Sequence, residues 1–211
     1  MSQGMGHEML QSVGAVITDS HIVYASGMHG SAYVNKDAIY PHTGTTSHLC
    51  REIAQGFSDT DVDVVVGPVI GGVVLTQWVA WHLSNFLGHE VLAVFVEKVN
   101  DGNGFAFTRG YDKLVRGKNA LVVEDVLTTG GSAKKVVELV RATDGYVVGL
   151  GALCNRGGVT ALDVGAPPRF SALVNIQLEA WDEAVCSLCA AGVPINTEVG
   201  KGREFLAKKA K

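Results

Sequence analysis

Residues 120–140, ALVVEDVLTTGGSAKKVVELV, decide the fold, because they predict a strand, a loop and a helix in immediate succession. The apolar run ends in two adjacent acids, Glu124 and Asp125, and an amphipathic helix pattern begins at Ser132. The loop between them consists largely of small hydroxyl and glycine residues. Glycines let a backbone approach a phosphate, and the unpaired N–H groups of a helix start favour an anion. The stretch therefore predicts a site for a phosphorylated sugar.

The side chains of this stretch suit the separate parts of a sugar phosphate. Thr128, Thr129 and Ser132 offer hydroxyl donors to the phosphate. Glu124 and Asp125 can accept hydrogen bonds from ribose hydroxyls or hold Mg²⁺ through water. The alternative is an ordinary strand-to-helix turn with Ser132 as its N-cap.

Apolar runs alternate with helical patterns along the middle of the chain. The predicted strands are Val62–Val66, Val91–Val96, Ala120–Val123, Tyr146–Leu153 and Ser171–Ile176, and the predicted helices are Gly72–Leu87 and Ser132–Arg141. Short continuous apolar runs separated by helices predict an α/β fold, with a parallel sheet covered by helices on both faces. Ligands bind at the carboxyl ends of the strands in such sheets.

Composition predicts a single domain, since 211 residues with 47% hydrophobic and 18% charged side chains support one large core. The predicted segments are an N-terminal flap at 1–40, a core at 41–180 and a C-terminal extension at 181–211. Within the flap we expect a short helix near Glu8–Val13 and extended segments near 21–25 and 31–35.

Two further segments are placed to bind anions. Gly67–Gly72 follows a predicted strand and opens a helix, so its backbone amides suit a pyrophosphate, although glycine turns of this kind are common. Residues 98–118 form a long excursion between two core strands, with one arm of a hairpin predicted at Phe105–Thr108. Lys98 and Arg109 are among the cations of this excursion, and a merely solvated hairpin is the alternative reading.

The segment Asn155–Gly158 follows the strand predicted to end at Leu153, and within it Arg156 precedes two glycines. A guanidinium at this position is suited to bind a carboxylate through two hydrogen bonds. The alternative is an exposed arginine in a surface turn.

Charge and hydropathy exclude several classes of protein. Residues 1–97 carry two basic and nine acidic side chains, and the chain has a net charge of −4, so no clustered basic arm for nucleic acid is present. The longest apolar stretch, Val73–Leu87, is interrupted by polar residues and is too short for a bilayer span. Irregularly spaced cysteines and the lack of a signal-peptide pattern predict a cytoplasmic protein.

The pair Cys186 and Cys189 supplies two candidate metal ligands, whereas a structural zinc site needs four. Cys50 and Cys154 are scattered, and the seven histidines show no metal-ligand spacing. We therefore expect buried, inert thiols, with metal or redox use as the alternative.

Two segments carry a family resemblance. VVEDVLTTGGSA at 122–133 resembles the signature of type I phosphoribosyltransferases, which use 5-phosphoribosyl 1-diphosphate. HIVYASGMHGSAYVNKDAIYPH at 21–42 resembles the amino-terminal region of orotate phosphoribosyltransferases. The likeness covers roughly residues 7–177, and it implies the type I fold with a flap, a mobile catalytic loop and a homodimer.

The resemblance also implies roles for individual residues. Glu124 and Asp125 would be catalytic, binding the ribose hydroxyls and the Mg²⁺ held by the substrate. Lys98 and Arg109 would belong to the mobile catalytic loop. The 5′-phosphate would be wrapped by Val126, Leu127, Thr128, Thr129, Gly130, Gly131 and Ser132. The pyrophosphate loop would contain Val69, Ile70, Gly71 and Gly72, and the base would be bound by Ser26, Tyr33, Val34 and Arg156.

The expected function is transfer of a phosphoribosyl group to a nucleobase, orotate first, with release of pyrophosphate in pyrimidine biosynthesis. Many orotate enzymes carry lysines where this chain has Ala25 and Gly71, and a loop histidine where this chain has none after His89. A purine or uracil phosphoribosyltransferase, and a non-catalytic sensor of phosphoribosyl diphosphate, therefore stay open as alternatives.

Overall fold

The computed structural model describes residues 3–24, 26–99, 104–176 and 178–209. It divides into two compact units. The core unit comprises Met1–Gly6 and Thr43–Ile176, and the terminal unit comprises His7–His42 and Gln177–Lys211. Residues 7–40 of the predicted flap and the predicted extension at 181–211 thus belong to one compact unit, whereas residues 1–6 belong to the core unit.

Ten strands and seven α-helices are assigned in the described residues. The strands are β1 (Val16–Ile17), β2 (Ile22–Val23), β3 (His29–Gly30), β4 (Tyr33–Val34), β5 (Val64–Pro68), β6 (Leu92–Val99), β7 (Gly104–Ala106), β8 (Asn119–Leu127), β9 (Tyr146–Asn155) and β10 (Phe170–Asn175). The helices are α1 (Gln3–Ser12), α2 (Thr43–Gln55), α3 (Gly71–Leu87), α4 (Asp112–Val115), α5 (Gly131–Ala142), α6 (Ser187–Ala190) and α7 (Gly202–Lys209).

A six-stranded sheet forms the centre of the core unit, in the order β10-β9-β8-β5-β6-β7. All neighbouring strands are parallel except β7, which pairs antiparallel with β6. The five predicted core strands are confirmed, with ends that differ by at most four residues. Every residue of β5 is buried, which explains why its sequence is a continuous apolar run rather than an alternating one.

Helices cover both faces of this sheet, as predicted. On α5, the buried side chains of Ala133, Val136, Val137 and Val140 form one helical face, and they share a core cluster with Leu150 of β9. Phe57, just beyond α2, lies against the opposite face of β9, since a Cβ added at Gly149 would be 2.5 Å from its ring.

Helix α2 was not predicted from the sequence. Its buried residues Leu49, Cys50 and Ile53 follow helical spacing, but most of the segment is polar. The short apolar stripe becomes informative only when the sheet face that it covers is known. Tertiary packing rather than intrinsic propensity stabilises such a helix.

Strand β5 and helix α3 approach so closely that glycine is required on both sides. A Cβ added at Gly72 would be 2.8 Å from the carbonyl carbon of Gly67, and one at Gly67 would be 3.0 Å from the Cα of Gly72. Neither group can move without shifting the backbone of β5 or α3. This contact fixes the start of α3 against the end of β5.

The terminal unit is built from two short antiparallel ribbons, β1 with β4 and β2 with β3. Isolated bridges join His21 to Ile195 and His29 to Trp181, so segments far apart in sequence pair through their backbones. Among the residues described, no helix combines the length and apolar character needed to cross a membrane.

Replacing Gly72 with Ala is expected to lower the free energy of unfolding by about 1–3 kcal/mol, because the added methyl group overlaps the backbone of Gly67. Gly44 is a matched control, since it is also the second residue of a helix and a Cβ there would meet nothing within 4 Å. Gly44→Ala should be neutral or slightly stabilising. Urea unfolding measures both, and equal effects would contradict the proposed close contact.

Candidate active site

The turn between β8 and α5 forms a small cavity of about 130 Å³. Its lining consists of Glu124, Val126, Leu127, Thr128, Thr129, Gly130, Gly131, Ser132 and Ala133. The first intrahelical bond runs from the N–H of Lys134 to the carbonyl of Gly130 at 2.8 Å. The N–H groups of residues 131–133 are therefore those that helical pairing leaves for an anion.

Gly130 makes this turn possible. Its φ of 76° lies in the left-handed region, and it forms the N-cap position of α5. A Cβ there would also lie 3.0 Å from side-chain carbons of Val159 and Val164. Both conformation and space therefore require glycine, as the sequence pattern indicated.

Glu124 and Asp125 lie in the buried end of β8, with 6% and 4% of their surfaces exposed. Because consecutive strand residues face opposite sides, only Glu124 lines the cavity. Glu124 Oε1 accepts a hydrogen bond from the N–H of Asp125 at 3.1 Å, and Asp125 Oδ1 accepts one from Val126 at 2.7 Å. Two acids in an otherwise apolar strand are costly to bury, and this favours a binding role over a packing role.

The turn between β5 and α3 lies at the same edge of the sheet, because β5 and β8 are parallel neighbours. The N–H of Val69 donates to the carbonyl of Val96 at 3.0 Å, and the Val69–Ile70 peptide bond is cis. The Ile70 side chain is exposed. Gly71 then begins α3, a helix of 17 residues, so a second helix start with unpaired N–H groups lies at this edge.

Arg156 contacts the turn between β8 and α5. Its N–H donates to the carbonyl of Leu127 and its Nε donates to Thr128 Oγ1, both at 3.0 Å. The buried side chain of Asn155 bonds the carbonyl and the N–H of Val159 at 2.8 and 3.0 Å, which closes the loop that contains Arg156. Sequence reasoning missed Asn155, and a polar residue at the end of an apolar strand was its only signal.

The predicted hairpin in the long excursion is confirmed, since Lys98 pairs with Phe105 across β6 and β7. Residues 100–103 at its tip lie outside the described residues. Arg109 Nη2 donates to Glu97 Oε1 at 3.0 Å, and Thr108 donates to the other oxygen of Glu97. The hydrogen bond from Thr108 has the larger effect on the pKa of Glu97, and the bond from Arg109 adds to it. Together they hold this pKa below its usual range. Lys98 is exposed on β6.

The residues assigned to the base divide between the two units. Arg156 belongs to the core unit, whereas Ser26, Tyr33 and Val34 belong to the terminal unit. Ser26 is exposed, Tyr33 is half-buried and Val34 is buried. Their role in base binding stays a prediction, and Ala25 lies outside the described residues.

The four cysteines form two groups. Cys50 and Cys154 are buried, and burial raises the pKa values of their thiols to about 12 and about 11, which makes them the inert core thiols expected from the sequence. Cys186 and Cys189 instead lie beside two histidine rings, a neighbourhood that no sequence spacing indicated.

Comparison with known proteins identifies relatives over most of the chain. A family profile described as a phosphoribosyl transferase domain matches residues 37–185. The orotate phosphoribosyltransferase of Caldanaerobacter subterraneus subsp. tengcongensis is 36% identical over 180 residues, which cover 85% of this chain and 88% of that protein. The orotate phosphoribosyltransferase of Thermotoga petrophila is 34% identical over 196 residues, which cover 92% of this chain and 97% of that protein.

Solved structures show the same fold. The crystal structure of Mycobacterium tuberculosis H37Rv orotate phosphoribosyltransferase in complex with 5-phospho-alpha-D-ribosyl 1-diphosphate matches with a TM-score of 0.62 and 22% identity. The match covers 82% of this chain and 96% of that chain. With this fold, and with the family profile and relatives above, the chain belongs to the phosphoribosyltransferase family.

Proposed function

We propose that this protein is an orotate phosphoribosyltransferase, which transfers the 5-phosphoribosyl group of phosphoribosyl diphosphate to orotate and releases pyrophosphate. The main support for this proposal is the cavity between β8 and α5, which is lined by Glu124 and by the start of a helix. Relatives of this chain are named orotate phosphoribosyltransferase. The reaction belongs to pyrimidine nucleotide biosynthesis in the cytoplasm. A homodimer is expected from the resemblance.

The cavity suits the 5′-phosphate. Residues 131–133 direct helix-start N–H groups at an anion, and Thr128, Thr129 and Ser132 add hydroxyl donors. Binding there fixes the ribose at the end of β8, where Glu124 and Asp125 accept hydrogen bonds from its hydroxyls. The start of α3 is then available for the pyrophosphate.

Displacement of pyrophosphate places positive charge on the ribose ring and negative charge on the leaving group. The buried carboxylates of Glu124 and Asp125 stabilise the positive ring, because their charge acts in surroundings of low dielectric. The same carboxylate oxygens fit Mg²⁺, which prefers oxygen ligands and would reach the site with the diphosphate. When bound, the ion supplies charge neutralisation for the leaving group.

Lys98 and Arg109 are the proposed cations for the leaving group. Arg109 bonds Glu97 with both side chains partly in solvent, 60% and 32% exposed. An exposed pair of this kind is screened by solvent and contributes little to stability, so a pyrophosphate with several negative charges can replace Glu97 as its partner. The family resemblance implies that the excursion from Lys98 moves during the reaction, and such a movement would allow this exchange of partners.

A panel of bases tests the function directly. The protein is incubated with phosphoribosyl diphosphate, Mg²⁺ and, separately, orotate, uracil, adenine, guanine, hypoxanthine and xanthine, and pyrophosphate release is measured. We expect turnover with orotate. Turnover with uracil or a purine instead would establish a salvage enzyme, and binding of phosphoribosyl diphosphate without turnover of any base would establish a sensor.

Replacing both acids, Glu124→Gln with Asp125→Asn, is expected to reduce kcat at least about 1,000-fold, because amides lack the charge that stabilises the ribose ring. Glu138→Gln is the matched control, since it makes the same chemical change on the exposed face of α5. Its kcat should equal that of the wild type. Circular dichroism checks the fold of both variants, and near-normal turnover of a folded double variant would refute the assignment.

Arg156 has two possible roles, which steady-state kinetics separate. If its guanidinium binds the carboxylate of orotate, Arg156→Lys raises the KM for orotate about tenfold or more and leaves the KM for phosphoribosyl diphosphate unchanged. Thr128→Val removes the bond from Arg156 Nε but keeps the guanidinium, so it should spare the KM for orotate. A rise confined to the KM for phosphoribosyl diphosphate in Arg156→Lys would show that Arg156 only positions the turn.

A further inference from the structure

Four potential metal ligands converge in the terminal unit: His21, His29, Cys186 and Cys189. One ligand atom from each residue lies within 4.8 Å of all the others. No other group of three or more such ligands occurs among the described residues. Three of the four side chains are buried, and Cys189 is partly exposed.

The distances approach those of a tetrahedral zinc site. His21 Nε2 lies 2.9 Å from His29 Nδ1, 3.7 Å from Cys186 Sγ and 3.6 Å from Cys189 Sγ, and Cys189 Sγ lies 3.3 Å from His29 Nδ1. Zinc lies about 2.0 Å from a nitrogen ligand and about 2.3 Å from a sulfur ligand. In a tetrahedral site, two ligand atoms on the same zinc ion are therefore about 3.3–3.8 Å apart. The remaining two separations, from Cys186 Sγ to His29 Nδ1 and to Cys189 Sγ, lie within 4.8 Å, so side-chain shifts of up to about 1 Å complete the geometry.

The ring of His21 is oriented as in metal-binding histidines. Its Nδ1 lies 2.7 Å from the carbonyl oxygen of Val193. A carbonyl oxygen only accepts, so Nδ1 must carry the hydrogen and Nε2 of the neutral ring has a lone pair. That lone pair faces the other three ligands. A histidine fixed through its second nitrogen in this way is the usual arrangement at metal sites.

Hydrogen bonding alone explains the cluster poorly. Three atoms, His29 Nδ1 and the two Sγ atoms, lie within bonding distance of the one lone pair of His21 Nε2, which can accept one strong hydrogen bond. A metal ion uses all four converging lone pairs at once.

We propose that His21, His29, Cys186 and Cys189 bind a structural zinc ion. Two thiolates balance the charge of Zn²⁺, so the complex of two cysteines and two neutral histidines has no net charge and can be buried. A tetrahedral set of two sulfur and two nitrogen ligands selects zinc over Mg²⁺ or Ca²⁺, which prefer oxygen. An open groove lined by His21 and Cys189 gives the ion access.

The local structure explains how residues so distant in sequence meet. His21 and His29 flank the ribbon of β2 and β3. The N–H of Ala190 donates to the carbonyl of Cys186 at 3.1 Å, and this helical turn brings Cys189 to the same side as Cys186. Backbone bonds in both directions at 2.8 Å join His29 to Trp181. Zinc would thus link the N-terminal ribbon to the C-terminal segment.

Such a link is useful because the terminal unit has only about 70 residues and few buried apolar side chains. Small units commonly depend on a metal or disulfide for stability. Closing a loop of well over 100 residues also removes much chain entropy from the unfolded state. All four ligands lie outside the cavity between β8 and α5, so the role is structural and independent of the proposed activity.

Zinc content of the full-length protein, purified without a histidine tag from cells grown with zinc, tests the proposal. We expect one zinc per chain in the wild type and less than about a tenth of that in Cys189→Ser. Cys50→Ala is the matched control and should keep one zinc per chain, because Cys50 is buried in α2 among core residues. A zinc-free wild type, or full zinc in Cys189→Ser, would overturn the proposal.

Two measurements on the wild type avoid any dependence on folding of the variants. When cobalt replaces zinc, the protein should show the charge-transfer absorption of thiolate ligands. A disulfide between Cys186 and Cys189 in the freshly purified protein would overturn the proposal. Removing the metal with a chelator should lower the Tm by at least about 5 °C. Amide hydrogen exchange should then become faster in residues 21–30 and 181–196 but stay unchanged in β5 and β8. Unchanged exchange in 21–30 and 181–196 after metal removal would also contradict a structural ion.

Discussion

Parallel pairing of β8 with β5 on one side and β9 on the other is the constraint on which the core unit depends. It brings the carboxyl ends of three neighbouring strands to one edge, and the turns that follow these strands hold the candidate site. The register is firmly set because residues of β5 and β8 are buried on both faces. A slip of one residue would exchange the faces to which Glu124 and Asp125 point, so Glu124 would no longer line the cavity between β8 and α5.

Small residues then determine how closely the turns can approach their ligands and one another. Gly67 and Gly72 bring the start of α3 against β5, and Gly130 lets the chain enter α5 through a left-handed conformation. Asn155 and Arg156 extend the same arrangement to the end of β9 through bonds to Val159 and Thr128. Arg109, which follows the hairpin of β6 and β7, is bonded to Glu97 in an ion pair whose side chains are both partly in solvent.

The terminal unit is stabilised on a different principle. Its strands have two residues each, and its apolar core is small. Backbone bridges at His21 and His29 join the two ends of the chain, and the proposed zinc ion would strengthen the same junction. A junction of this kind supplies stability locally where burial of apolar surface cannot.

The sequence by itself determined the order of strands and helices in the core, because each segment carries its own periodicity in a few consecutive residues. It also indicated the turn at 126–132 that we propose binds a phosphate, since the glycines, hydroxyls and acids needed there are adjacent in the chain. Helix α2 escaped prediction because its narrow apolar stripe has meaning only against the sheet. Tertiary structure alone brought together His21, His29, Cys186 and Cys189. His21 directly precedes β2, His29 begins β3 eight residues later, and the cysteines lie more than 150 residues further on. No local pattern can encode that meeting, because it depends on the pairing of the two ends of the chain.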